Sequence, residues 1–272
     1  VDLANPDLAA APVVVPESAA VVTGIAAGKD ALYVGPMWAD VSDLLRVEHA
    51  HGAKPAPVKL PFDGDIDALA ADPRLPGVVF DTGAWTRFAG YYAYDPKTAK
   101  VVDTKLQPQG PYDNPTDLVS LEVKVKSHDG TMVPLSIVHK KGMKLDGTNQ
   151  TILYGYGAYG ISQTPFFRPQ YLAWFERGGV FAVAHVRGGG ENGEEWNKGG
   201  YQQTKPNTWR DAIACAEWLV AQRYTSPAKL AIEGGSQGGI YVGRSITERP
   251  DLFGAAIDEV PVSDAIRSSF ET

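Results

Sequence analysis

Ile232-Glu233-Gly234-Gly235-Ser236-Gln237-Gly238-Gly239 is the stretch that decides the fold. A short apolar run, Leu230-Ala231-Ile232, leads into it, and Ile240 to Glu248 reads as the helix after it. Gly234-x-Ser236-x-Gly238 between a strand and a helix has the form of a nucleophile elbow. In that turn a serine is held at strained backbone angles and its hydroxyl points into a cleft. Small residues flank it because a Cβ there would press on the neighbouring strand and helix. A serine hydroxyl is a weak nucleophile and needs a base, usually a histidine oriented by a carboxylate. On an α/β-hydrolase sheet these partners follow in the order Ser, Asp/Glu, His. Only 36 residues follow Ser236 (272 minus 236), and none is a histidine. The expectation is a nucleophile without its acid and base, in a chain that begins and ends inside a longer polypeptide.

Upstream of the elbow, strands alternate with helices. Leu118 to Val125 and Val133 to Val138 flank Asp129-Gly130, a strong hairpin signal. Thr151 to Tyr154 and Val180 to Ala184 read as buried strands, and Gln170 to Arg177 as a short helix stopped by Gly178-Gly179. Trp209, Ile213, Ala216 and Val220 fall at helical spacing, with Asn207 as the expected N-cap. Phe253 to Ile257 is the strand after the elbow helix. This alternation predicts a parallel sheet covered by helices on both faces.

Residues from about 20 to 106 have a different grammar, with short aromatic and β-branched runs bounded by Gly, Pro and Asp. Leu44 to Val47 and Tyr91 to Tyr94 each precede a turn and a further strand, about 47 residues apart. That period is near the length of a four-stranded propeller blade, and a plain β-sandwich explains it nearly as well.

Composition narrows the function classes. Hydrophobic residues at 44% and charged ones at 21% are ordinary for a globular protein. A net charge of −7 argues against nucleic acid or an anionic membrane as main partner. No apolar run approaches the roughly 20 residues of a membrane span. The single cysteine, Cys215, excludes an internal disulfide and sits in a helix that faces a core, so it reads as a structural thiol. Val1-Asp2-Leu3 carries no signal pattern. The expected location is cytoplasmic, with the periplasm as the alternative.

Acyl transfer also needs donors aimed at the developing oxyanion. The elbow supplies the Gln237 backbone N–H. Tyr154-Gly155-Tyr156-Gly157-Ala158-Tyr159-Gly160 follows a buried strand, where alternating glycines admit the backbone to the cleft and a tyrosine can present its O–H. Such tyrosines also serve as packing residues, and both readings stand. Arg187-Gly188-Gly189-Gly190-Glu191-Asn192-Gly193 follows the next strand, either lining the cleft or forming a mobile surface turn with Arg187 in an ion pair. It is not a phosphate loop, because no Lys-Ser/Thr follows the glycines. All five histidines precede Ser236. His49, His51, His128 and His139 read as surface or edge residues. His185 ends a central strand, but as base it would break the usual order. Asp264 reads as the N-cap of a helix from Ala265 to Phe270, or as a triad acid.

Several of these segments resemble the prolyl oligopeptidase family. They are Gly130-Thr131 through Gly147, Leu153 to Gly157, Arg187 to Gly193, Tyr224-Thr225-Ser226-Pro227, Gly234 to Gly239 and Arg249 to Gly254, in the family's order over about residues 115 to 272. The resemblance implies a seven-bladed β-propeller joined to an α/β-hydrolase domain that cleaves short peptides, often after proline. Residues 1–111 would be about two last blades, and 112–272 the N-terminal part of the peptidase domain. Carried over by position, Ser236 is the nucleophile, and the Gln237 N–H with the Tyr156 hydroxyl forms the oxyanion hole. Tyr159, Gln237 and Val262 line the pocket for the residue before the scissile bond. Gln237 stands where asparagine or alanine is usual and Tyr159 where phenylalanine is common, which widens the expectation to proline or a small residue.

The family's Asp, His, pocket tryptophan and substrate-binding arginine would lie beyond Thr272. The expected partners are a short peptide and the remainder of the same polypeptide, with no nucleic acid, membrane, cofactor or metal. The 272 residues alone are expected to be nearly inactive. An esterase-like acyl hydrolase and a non-catalytic interaction module are the alternatives.

Overall fold

The computed structural model describes residues 7, 9, 11–264 and 266. The chain divides into two compact units, Val1–Thr82 with Gly90–Pro108, and Gly83–Ala89 with Gln109–Thr272. The first is built on antiparallel sheets. β1 (Val21–Ala27), β2 (Ala31–Trp38), β4 (Leu45–Glu48) and β5 (Ala56–Pro57) pair in that order, with β3 (Val41–Ser42) beside β2. β6 (Leu69–Ala70), β7 (Val78–Ala84), β8 (Arg87–Asp95) and β9 (Lys100–Asp103) form the second meander. β2 and β7 begin at residues 31 and 78, which accounts for the 47-residue period. Tyr33, Leu44, Phe80 and Tyr92 are buried in the unit's shared core, and Phe80 stacks on Tyr92. The second sheet is a four-stranded meander of the kind that forms a propeller blade, and the first has the same four-stranded path with the short β3 added beside β2.

The second unit carries a six-stranded sheet. Its strands are β10 (Leu118–Lys126), β11 (Met132–Lys140), β12 (Thr151–Tyr154), β13 (Val180–Ala184), β14 (Leu230–Gly235) and β15 (Ala255–Glu259), in the order β10-β11-β13-β12-β14-β15. The sheet is mixed, not wholly parallel. β10, β11 and β13 pair antiparallel, while β13, β12, β14 and β15 are parallel. A tight turn at Asp129-Gly130 can join only antiparallel neighbours, whereas parallel strands need the longer helical crossovers found after β12.

Those crossovers carry α1 (Leu172–Phe175), α2 (Glu194–Lys198), α3 (Pro206–Ala221) and α4 (Gly238–Glu248). One face of the sheet, with Leu135, Ile137, Leu153 and Ile232, packs against the buried side of α3 and α4. The other face presents Val138, Phe181 and Val183 to Phe167 and Phe175. Each fully buried leucine or isoleucine here is worth about 1.5–3 kcal/mol of transfer free energy. The sheet is therefore covered on both sides, and its parallel strands deliver their carboxyl ends to one rim.

Two local expectations change. α3 starts at Pro206 with Lys205 in the cap position, and Asn207 lies inside the helix, where its amide donates to the Gly199 carbonyl. Proline at the first position needs no N–H partner, so the start shifts by two residues. The buried stripe of α3 runs through Trp209, Ala212, Cys215, Ala216 and Leu219, while Ile213 and Val220 are only partly buried. Cys215 is fully buried, as a structural thiol should be. The helix expected from Ala265 to Phe270 falls on a segment of which only Ile266 is described.

Candidate active site

The carboxyl end of β14 passes through Ser236 and Gln237 into α4 in a turn of two residues. Ser236 has φ +53°, a left-handed backbone that costs a non-glycine residue about 1–3 kcal/mol. Three backbone bonds hold it there. Its N–H donates to the Glu259 carbonyl (2.9 Å), and its carbonyl accepts from the N–H groups of Val262 (2.8 Å) and Gly239 (3.0 Å). A Cβ at position 234 would stand 2.9 Å from the Gly238 carbonyl oxygen and 3.0 Å from that of Gly155, so only glycine lets the strands close around the turn. Gln237 occupies the N-cap position of α4 and no side chain caps that helix. The first N–H groups of a helix lack intrahelical acceptors and carry partial positive charge, which suits a developing anion.

The loop after β12 brings in the second group. Gly155 N–H donates to the Glu233 carbonyl (3.1 Å), pinning the loop's start to β14. The hydroxyls of Tyr156 and Ser236 are hydrogen-bonded to one another. Burial raises the phenol's pKa, the nearby Tyr159 phenol adds to this, and the bond with Ser236 opposes it. Tyr156 thus stays a neutral O–H at ordinary pH. Tyr159 is largely exposed at φ +56°, and its hydroxyl accepts from the Gln237 side-chain amide (3.1 Å). Ser236, Gln237, Tyr156 and Tyr159 are therefore brought together. Val262 joins them through its backbone N–H alone.

Behind this group lies a layer that sequence reasoning weighed without resolving. The turn Arg187 to Gly193 is not a mobile surface feature, because Arg187 and Glu191 are both buried. Arg187 donates through Nε (2.9 Å) and Nη2 (2.7 Å) to Asp211 of α3, and through Nη1 (2.5 Å) to Asp129 of the β10–β11 turn. Asp211 also accepts from Ser127 Oγ (2.5 Å) and the Arg187 N–H (3.1 Å). The Arg187 guanidinium is the main reason the Asp129 carboxyl lies far below the usual carboxylate range. Gly160 N–H donates to the Gly188 carbonyl (3.0 Å). A Cβ on Gly188, at φ +103°, would overlap the Gly157 carbonyl. The two glycine loops interlock by backbone, and the Arg187 network fixes one of them.

His185 is fully buried and belongs to a different cluster. Its Nε2 hydrogen-bonds with Ser136 Oγ (2.9 Å), and its Nδ1 faces Glu191 Oε1 at 3.7 Å. A Ser-His-Glu set in this form is sealed from solvent and removes His185 as a base for Ser236. Missed altogether were Lys205, whose ammonium reaches the Gly157 carbonyl (2.5 Å), and Asp211. Neither lies in a recognisable motif, and only the folded chain brings them to the loops.

The prolyl oligopeptidase family model matches residues 165–272, which include the whole elbow. These residues carry a prolyl oligopeptidase family domain. The chain is 47% identical over 156 residues to a dual function macrocyclase-peptidase of Galerina marginata, covering 57% of this chain and 21% of that protein. Against a prolyl endopeptidase of Elizabethkingia miricola it is 46% identical over 154 residues, covering 57% and 22%. Among solved structures, a prolyl endopeptidase superposes with TM-score 0.87 at 35% identity, over 98% of this chain and 39% of that one. A post-proline cleaving enzyme from Rickettsia typhi gives 0.83 at 30% identity, over 93% and 36%. The chain spans about a fifth of the length of the curated relatives it matches. The family's architecture, propeller blades followed by an α/β-hydrolase sheet, is the one seen in the two units. No helix among the described residues is long and apolar enough to cross a membrane, and no His/Cys/Asp/Glu group there could hold a metal ion.

Proposed function

We propose that this chain supplies the nucleophile and oxyanion hole of a serine peptidase acting on short peptides, with cleavage after proline or a small residue. The observation that carries the proposal is Ser236 at φ +53° between β14 and α4, with its hydroxyl bonded to that of Tyr156. Ser236 Oγ attacks the scissile carbonyl carbon, and its proton passes to a base. The carbonyl oxygen gains the charge and is met by the Gln237 N–H and the Tyr156 O–H. Collapse releases the amine and leaves an acyl-serine, which water then hydrolyses. Tyr159 and Gln237, joined by their side chains, wall the pocket for the residue before the scissile bond. Gln237 is longer than asparagine and its amide is spent on Tyr159, which favours a small or cyclic side chain over an extended one.

The 272 residues by themselves turn over peptides very poorly in this reading. No histidine follows Ser236, and His185 is engaged with Ser136 and Glu191. Losing triad activation costs on the order of 10⁶ in kcat. The test compares three proteins on a proline-containing chromogenic peptide and a p-nitrophenyl ester. They are the 272-residue chain, the product of the complete gene, and the latter with Ser236→Ala. Peptide turnover confined to the complete, unmutated product supports the proposal. Ester turnover without peptide turnover would replace it by an esterase, and turnover indifferent to Ser236→Ala would end it.

A further inference from the structure

Lys205 stands at the entrance of α3, and its ammonium is turned inward. An exposed lysine in that position would extend into water, yet this side chain is half-buried with its end bonded to the protein. Its Nζ donates to the Gly157 carbonyl oxygen at 2.5 Å. Among the described residues no carboxylate forms an ion pair with it. Taking a cation out of water without a counter-charge is costly, so its one strong bond marks where the ammonium acts.

Gly157 is the residue next to Tyr156. It sits at φ +68°, wedged between Val186, Thr208 and the Arg187 carbonyl, any of which a Cβ would crowd. The peptide plane that follows Gly157 carries the Lys205 ammonium on its oxygen, and the packing around Gly157 holds the residue that joins this plane to Tyr156. Because Gly157 is pinned between its neighbours at φ +68°, a rotation of that plane is passed through Gly157 to the backbone of Tyr156. The Arg187 network holds the opposing loop, and among the described residues no other side-chain donor reaches the Gly157 carbonyl.

We propose that Lys205 is a positioning residue for the oxyanion hole, its ammonium fixing through the Gly157 carbonyl the place of the Tyr156 hydroxyl at Ser236. This rests on the reading of Ser236 and Tyr156 as nucleophile and oxyanion donor. A consequence follows for pH. Burial alone lowers the pKa of Lys205 from 10.5 to about 8, so the group loses its charge where an ordinary lysine keeps it. The charged groups of the neighbouring segments are engaged elsewhere and do not set this value. Arg187 is bound to Asp211 and Asp129, Lys198 to Glu194 and Glu195, and Glu191 takes the Gln163 N–H. A neutral amine is a weaker donor than an ammonium. The hold on the loop slackens as pH rises through about 8.

The experiment has one arm that does not need turnover. Amide hydrogen exchange is followed in the complete protein over residues 155–161, where the N–H groups of Gly155, Gly160 and Ile161 are bonded. Lys205→Met should speed exchange there about tenfold at pH 7 and leave β13 unchanged. Lys205→Arg, which keeps its charge at every accessible pH, should restore protection and guards against a variant that simply unfolds. In the second arm, Lys205→Met should lower kcat at least tenfold with KM within about twofold, bounded by the 10² to 10³ of a lost oxyanion donor. The alkaline fall of kcat near pH 8 should vanish in both variants. Unchanged exchange in 155–161, or an alkaline limb that persists in both variants, would overturn the proposal. If Ser236→Ala leaves activity intact, the peptidase reading fails and the exchange arm alone decides whether Lys205 holds the loop.

Discussion

Arg187→Leu should destabilise the second unit by about 3–5 kcal/mol without touching Ser236. The substitution removes three charge-assisted hydrogen bonds, two to Asp211 and one to Asp129. Asp129 is partly exposed and regains water, so its loss is small. Asp211 is fully buried and keeps only Ser127 Oγ and the backbone N–H of residue 187. A buried ion pair broken from one side typically costs about 3–5 kcal/mol because the remaining charge is uncompensated. That is a large part of a domain's total of about 5–15 kcal/mol. Equilibrium urea unfolding, followed by tryptophan fluorescence at pH 7, measures it. The double variant Arg187→Leu with Asp211→Leu removes the orphaned charge and should recover at least half of the loss. The Asp129 bond should also show in the pH dependence. Asp129 titrates well below its unfolded value, so its contribution is present above about pH 4 and fades as the pH falls further. A cost under about 1 kcal/mol for Arg187→Leu, or a double variant less stable than the single one, would refute the reasoning.

Tyr156→Phe in the complete enzyme removes one hydroxyl and no packing volume; kcat should fall about 10² to 10³ with little change in KM, and rates within twofold of the parent would return Tyr156 to a packing role. Gly188→Ala puts a Cβ onto the Gly157 backbone at a positive φ and should cost activity and several degrees of Tm together, as read by calorimetry and turnover. Burial and the nearby Asp211 raise the Cys215 thiol well above its ordinary pKa, so a thiol reagent at pH 8 should react with it only after denaturant is added. Lys205 sheds its proton in the native state before the unfolded one does, so its contribution to stability rises with pH between about 8 and 10.5; the difference between the parent and Lys205→Met in urea should follow that slope.

The elbow was legible because it is local. Strand, strained turn and helix lie within Leu230 to Glu248, and glycine is demanded at fixed spacing by contacts a few residues away. The hairpin at Asp129-Gly130 and the buried strands were readable for the same reason. The strand order was less so. That β11 pairs with β13, antiparallel, depends on which edge remains open after β12 is placed, and periodicity carries no information on that. The buried state of Arg187 and Glu191 was also hidden, since a glycine-rich turn with charged ends looks like surface until helices cover it.

What the sequence by itself determined is the serine and its turn, because both depend on short-range sterics written in adjacent residues. What only the tertiary structure decided is which groups serve that serine. It set the Tyr156 hydroxyl on Ser236, closed the Gln237 amide onto Tyr159, sealed His185 against Ser136 and Glu191, and turned the Lys205 ammonium toward Gly157. These pairings join residues 48 to 80 positions apart, with only the sealed His185–Glu191 contact local. They exist because a close-packed sheet and its interlocked glycine loops leave each side chain one place to go.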